Sequence, residues 1–357
     1  MQLHNKVDKR VLKEQLLASN EERTTISFYK YVRIGNPQIF RDHLFLNWSE
    51  LGVFGRVHVA TEGINAQISV PTDKLDEFVQ FISTIEFLQG IGLNFAVEDN
   101  GKSFYKLTIK VRDKILADGL NDESFDASNK GQHLHADEWN ALMDDPNSIL
   151  IDMRNHYESE VGHFKGAIAP DVDTFATSLD VIDQMMEKHK DKNIMMYCTG
   201  GIRCEKASAY YKHRGYKNVY QLEGGIIKYA HEAKEQGLEN KFIGKNFVFD
   251  ERLGESITPE IIAQCHQCGQ PCDTHVNCKH VGCNLLFIQC DKCKDEFEGT
   301  CSPECQHIIH LPEDEQKLKR KGIDKGQNIF KKGRSPHLKF KHAGVKEIPD
   351  MPGMREL

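Results

Sequence analysis

The sequence predicts a multidomain chain that runs from an α+β unit into an α/β unit and ends in a cysteine-rich segment. Three observations carry this prediction. Residues 24–117 alternate strand-like and helix-like patterns in the order β-α-β-β-α-β. Residues 133–240 alternate short apolar strands with helices, the signature of a parallel sheet covered on both faces. All cysteines except Cys198 and Cys204 crowd between Cys265 and Cys305. At 357 residues the chain has room for two or three domains.

Taken in order, residues 1–23 predict a surface helix with Val11, Leu12, Leu16 and Leu17 on one face. They lack the apolar core and small-residue cleavage site of a secretory signal. "TISFYKYVRI" is rich in β-branched and aromatic residues and predicts a strand. "PQIFRDHLFLNWSELG" has helical spacing and a closing Gly52. "VFGRVHVATEGINAQISV" predicts two strands turning at Glu62-Gly63, and "TDKLDEFVQFISTI" a capped helix. "SFYKLTIKVRDKIL" predicts the closing strand. This is the ferredoxin-like (acylphosphatase-like) order, which names no function by itself. Residues 118–132 are polar and acidic and predict a linker.

In the middle unit, "SILIDMR", "NIMMYC" and "NVYQL" are the predicted strands, and "ADEWNALMDD", "TFATSLDVIDQMMEKH" and "RCEKASAYYKHRGY" the helices. Sites in such sheets lie beyond the carboxyl ends of the strands. Cys198 stands at such an end, before Thr199, Gly200, Gly201 and Ile202 and a helix opening with Arg203. Backbone N–H groups converge at a strand-loop-helix junction, and the helix dipole adds positive charge. A thiolate is stabilised there, so Cys198 is the predicted nucleophile, ionised near neutral pH and open to reaction. Arg203 opposes the dipole and reads as a clamp on negative charge. Cys204 is either a resolving thiol or a packed, passive one.

Four residues separate Cys198 from Arg203, one fewer than in cysteine phosphatases, and this tighter loop resembles that of the rhodanese family. "LIDMRNHYESEVGHFKGAI" resembles the first rhodanese motif, with Asp152 and Arg154 as supporting residues, and "NVYQLEGGI" its closing motif. Arg154 either pairs with Asp152 or faces the loop. "HLHADE" contains half of an iron facial triad, but Asp137 reads better as an exposed first-turn residue. No glycine-rich nucleotide fingerprint is present, so no nucleotide cofactor is expected.

Residues 241–310 hold Cys265-x2-Cys268 and Cys290-x2-Cys293, which have zinc-knuckle spacing. With Cys278, Cys283, Cys301 and Cys305 they suffice for two structural zinc sites of four thiolates each. Which four share an ion is open, and Cys272 would be spare. The composition is that of a soluble globular protein without an 18-residue apolar run, and free thiols suit a reducing cytoplasm. Net charge is −7, yet residues 311–357 carry Lys319, Arg320, Lys321, Lys325, Lys331, Lys332, Arg334, Lys339 and Lys341 beside Phe330 and Phe340. Such a tail suits a phosphate backbone with stacked bases.

A ferredoxin-like domain with "ATEGINAQIS", a rhodanese domain with "CTGGIRCEK" and a cysteine-rich end together resemble the bacterial tRNA uridine hydroxylases over nearly the whole chain. The resemblance implies oxygen-dependent hydroxylation at C5 of the wobble uridine, with O2 as co-substrate, the tRNA anticodon arm as partner and Cys198 as the essential residue. The residues alone also fit a persulfide sulfurtransferase that passes sulfur from Cys198 to an acceptor.

Overall fold

In the computed structural model, which describes residues 7–120, 126, 128–321, 335 and 337–340, the first element is α1 (Lys9–Ala18). Of its expected apolar stripe only Leu16 is buried, while Val11 and Leu17 face solvent. The helix touches the domain at its C-terminal end, where Lys102 Nζ donates to the Leu16 and Ser19 carbonyls at 2.7 Å. Then follow β1 (Arg23–Tyr31), α2 (Pro37–Glu50), β2 (Phe54–Ala60), β3 (Gly63–Pro71), α3 (Leu75–Ser83), β4 (Asn94–Phe95) and β5 (Leu107–Val111). Asn36 caps α2, its side-chain oxygen accepting from the Ile39 amide at 3.1 Å, with Pro37 at the first helical position. The sheet order is β4-β1-β3-β2-β5.

The stretch read as the closing strand is β5, which pairs parallel with β2 at one edge of the sheet. The place beside β1 belongs to β4, antiparallel and two residues long. So short a strand leaves no alternating pattern to read. One face of the sheet buries Ile26, Phe28, Val57, Ile64 and Ile68 against Trp48 and Phe78 of α2 and α3. The other face is polar and looks toward the second domain.

That domain comprises β6 (Gln132–Leu134), α4 (Ala136–Met143), β7 (Ser148–Asp152), α5 (His156–Ser159), β8 (Gly162–Phe164), α6 (Phe175–Met186), β9 (Asn193–Tyr197), α7 (Ile202–His213), β10 (Asn218–Leu222), α8 (Gly225–Gln236) and β11 (Phe242–Asn246). A parallel sheet of order β6-β10-β9-β7 carries an apolar cluster on each face. The edge strand β6 opens at Gln132, the last residue of the expected linker; three polar-flanked residues give too weak a pattern to be read as a strand. Cys198 follows β9 directly.

Beyond β11, which pairs antiparallel with β8, lies the cysteine-rich unit. It contains a small hairpin, His275–Asn277 with Leu286–Ile288, and the helices Asp291–Glu296, Pro303–Ile309 and Glu313–Arg320. The tail residues Lys325, Phe330, Lys331, Lys332, Arg334 and Lys341 lie outside the described residues. Leu338 is buried in this unit, and the Lys339 and Phe340 amides donate to the His266 carbonyl at 3.0 and 3.1 Å. No helix of the described residues is long and apolar enough to cross a membrane.

Candidate active site

The loop between β9 and α7 curls around the Cys198 sulfur. Gly201 takes φ +98°, a conformation favouring glycine, and its amide donates to Cys198 Sγ at 3.2 Å. A second glycine pair presses on the loop from outside. Gly224 and Gly225 have φ +64° and +68°, and a Cβ on Gly225 would lie 2.5 Å from the Cys198 carbonyl oxygen. This approach lets the Ile226 and Ile227 amides donate to the Cys198 and Thr199 carbonyls at 3.0 and 3.2 Å.

The thiol is 1% exposed, so it is not open to solvent as the sequence suggested. Burial pushes its pKa up, but a hydrogen bond from the Cys204 thiol, the Arg203 charge and the Cys204 and Arg203 amides outweigh this and bring it down to about 6. Burial and the Cys198 neighbour push Cys204 well above its ordinary value, so it stays a protonated donor. Arg203 does not stand free. Its guanidinium donates to both Glu158 carboxylate oxygens at 2.6 and 2.8 Å.

Cys198 lines a cavity of about 340 Å3 between the two domains, together with Thr199, Gly200, Ile202 and Arg203. The opposite wall is the polar face of the N-terminal sheet. Several contacts hold the domains in this position. Asn94 Nδ2 donates to the Gly200 carbonyl and the Tyr31 hydroxyl to the Ile202 carbonyl, both at 3.4 Å. Lys206 Nζ donates to Glu62 Oε2 at 2.6 Å and pairs with Asp118. Glu255 Oε2 accepts from the Val97 amide at 2.9 Å.

The supporting pair lies elsewhere. Arg154 is buried and donates to Asp152 through Nε and Nη2 at 2.9 and 2.6 Å, and to the Gly162 carbonyl at 2.6 Å. It therefore pairs with Asp152 rather than facing the loop, and ties β7 to β8. "HLHADE" gathers no metal site, for His133 bonds Glu205 at 2.8 Å and His135 bonds Glu232 at 2.9 Å.

The cysteine-rich unit brings two thiol quartets together. Cys265, Cys268, Cys290 and Cys293 converge in one, Cys278, Cys283, Cys301 and Cys305 in the other, each with all sulfurs within 4.8 Å. The pairs interleave along the chain. Sulfur separations of 3.6 Å (Cys268–Cys290, Cys283–Cys301) and 3.8 Å (Cys301–Cys305) match the edge of about 3.8 Å that a tetrahedron of 2.3 Å metal–sulfur bonds requires. Both quartets fit a metal ion. Cys272 belongs to neither. His280 Nδ1 contacts Cys305 Sγ at 3.4 Å and His266 bonds Glu160 at 2.8 Å, and neither is one of the four converging ligands of a quartet.

Three family models match the chain: a UPF0176 acylphosphatase-like domain over residues 23–115, a rhodanese-like domain over 135–232 and a rhodanase C-terminal region over 243–306. A tRNA uridine(34) hydroxylase of Yersinia enterocolitica is 56% identical over 93% of this chain and 95% of its own. One from Photorhabdus laumondii is 54% identical over the same shares. The chain belongs to the tRNA uridine(34) hydroxylase family. A crystallised thiosulfate sulfurtransferase from Pseudomonas aeruginosa aligns over 30% of this chain and 20% of its own, with 19% identity and a TM-score of 0.25.

In this hydroxylase-family chain, sequence reasoning missed several residues around the cysteine. Glu158 sits inside the first rhodanese motif, where a carboxylate matching Arg203 was there to be noticed. Gly224 and Gly225 stood in the closing motif without an assigned role. Tyr29, Asn94 and the strand residues of the facing wall gave no signal, because polar positions alternating along a strand read as a solvent face.

Proposed function

We propose that the chain hydroxylates C5 of the wobble uridine of tRNA, with Cys198 as nucleophile, Arg203 as the charge that holds it ionised, and residues 199–202 as its cradle. One observation carries this reading: the buried Cys198, its pKa brought down to about 6 by its surroundings, lines a cavity of about 340 Å3, room for a nucleoside. Addition of the thiolate to C6 of uracil forms an S–C6 bond and moves an electron pair to C5, the carbon that takes the hydroxyl. One atom of O2 enters at C5, and the other leaves as water with two electrons and two protons from an external donor. Loss of the C5 proton and of sulfur from C6 restores the ring and the thiolate. The name of the relatives, tRNA uridine(34) hydroxylase, supports the substrate and the net hydroxylation.

The alternative, persulfide transfer from Cys198, is less well supported. A small sulfur anion such as thiosulfate needs free positive charge at the cysteine, and Glu158 already neutralises Arg203. In the same reading the two quartets hold structural zinc, and the basic tail with the N-terminal domain holds the anticodon arm. A tRNA-acting protein with free thiols belongs in the cytoplasm.

The test is mass analysis of tRNA nucleosides from a deletion strain carrying either the wild-type gene or Cys198→Ser. The expected result is 5-hydroxyuridine with the first and none with the second. Equal amounts would overturn the assignment, and thiosulfate-to-cyanide transfer at rhodanese-like rates would favour the alternative.

A further inference from the structure

Resting on the uridine reading above, we propose that the inward face of the N-terminal sheet is the base-reading wall of this site. Asn65 and Gln67 engage the polar edge of an extruded pyrimidine, and Arg56 takes the adjoining phosphate.

The strand register builds this wall. β3 alternates, sending Ile64, Ala66 and Ile68 into the core and Asn65 and Gln67 to the cavity. On either side the pairing aligns Tyr29–Asn65–His58 in one row and Ser27–Gln67–Arg56 in the next. All six residues line the cavity. The rows begin at the cysteine loop, where a Cβ on Gly201 would come within 2.8 Å of the Tyr29 hydroxyl. They end two strands away, about 10 Å at the usual strand spacing, at the exposed Arg56. That distance suits a nucleotide lying with its base toward Cys198 and its phosphate at the rim.

Charge points the same way. Among the cations lining the cavity, Arg203 is bound by Glu158 and Arg252 by Asp250. Arg56 has no acidic partner among the described residues. His58 is kept below its ordinary range by burial and by Arg112, Arg56 and Lys110, so it is neutral at pH 7. The interior thus receives a neutral group and the rim an anion. An amide offers both a donor and an acceptor, as does the N–H and carbonyl edge of uracil. The Gln67 amide has no protein hydrogen bond among the described residues, and Asn65 Nδ2 reaches only the Ile115 carbonyl, at 3.5 Å. Phe175 and Phe249 flank the space and supply apolar surface for the ring. Because Cys198 is buried, a base reaches it only by leaving its stack. The "ATEGINAQIS" stretch thereby has a role, since Asn65 and Gln67 both belong to it.

The experiment uses the full chain and a tRNA transcript with uridine at the wobble position. Gln67→Leu should lower kcat/KM about tenfold, and so should Gln67→Glu, which keeps the shape but replaces the donor with an anion. Arg56→Ala should raise KM with kcat unchanged, and flatten the slope of log affinity against log salt by about one. The pH midpoint of Cys198 alkylation should stay at its wild-type value in Gln67→Leu, which changes no charge. Kinetics within twofold of wild type would overturn the wall, as would lost turnover in Gln67→Leu accompanied by a shifted Cys198 midpoint. Both outcomes leave the hydroxylase reading standing, because that falls only if the wild-type gene fails to restore 5-hydroxyuridine or Cys198→Ser still forms it.

Discussion

Arg203 and Glu158 form a buried bidentate pair, 2.6 and 2.8 Å long, directly behind the Cys198 loop. The pair gives Cys198 a nearby positive end without leaving an uncompensated charge in the interior. The arginine is therefore a fixed part of the cysteine's surroundings and not a free receptor for an anion.

Glu158→Gln should unmask that charge. Removing one partner of a buried pair costs about 3–5 kcal/mol, visible as a lower denaturant midpoint. The surviving protein should alkylate Cys198 at a lower pH midpoint and protect it with added thiosulfate or phosphate. Unchanged stability and no anion protection would contradict the role given to Glu158.

The pH dependence follows from the depressed Cys198 pKa. Alkylation and turnover should rise with pH through about 6 and then level off. Because folding favours the thiolate, Cys198 contributes stability that is complete above the ordinary cysteine value, about 8.5. That contribution is lost as pH falls through about 6. Cys204→Ala deletes a donor to the sulfur and should move the alkylation midpoint upward. An unshifted midpoint would show that Cys204 only packs.

Gly225→Ala tests the closing motif. The added Cβ meets three backbone atoms of the 198–200 loop, the nearest 2.5 Å away, and the residue has φ +68°. Neither strain can be relieved by rotating a side chain. The expected outcome is a folded protein whose Cys198 reacts at least about tenfold more slowly at pH 7, since the loop amides no longer converge.

Metal content should be two zinc ions per chain by elemental analysis of reduced protein. Cys293→Ser and Cys305→Ser strike different quartets, so each should lose one equivalent and the double variant both. Chelation should lower the unfolding temperature without changing the Cys198 alkylation midpoint. Zinc retained at two equivalents in either single variant would contradict the assignment of cysteines to quartets.

Lys206 joins the domains and is 4% exposed, pairing with Glu62 and Asp118. Lys206→Met should leave Glu62 without its partner across the interface, and two separate unfolding transitions should replace one. A single sharp transition at the wild-type temperature would show that other contacts suffice.

The amino-acid sequence by itself determined what short-range chemistry determines. A thiol after an apolar strand, two glycines and a helix start are contiguous, so the Cys198 loop was legible from its own residues. The cysteine types and spacings of the metal quartets were legible for the same reason. The helices of the first domain, α4, α6, α7 and the longer strands followed from their periodicity, whereas α5, α8 and the helices of the cysteine-rich unit went unread and β4 and β6 were too short to have one. Only the tertiary structure decided which cysteines meet, that Arg203 is held by Glu158, and that the thiolate is enclosed. It alone turned Asn65 and Gln67 from the apparent solvent face of a strand into one side of a cavity. The physical reason is that these relationships join residues distant along the chain, through packing that no local pattern encodes.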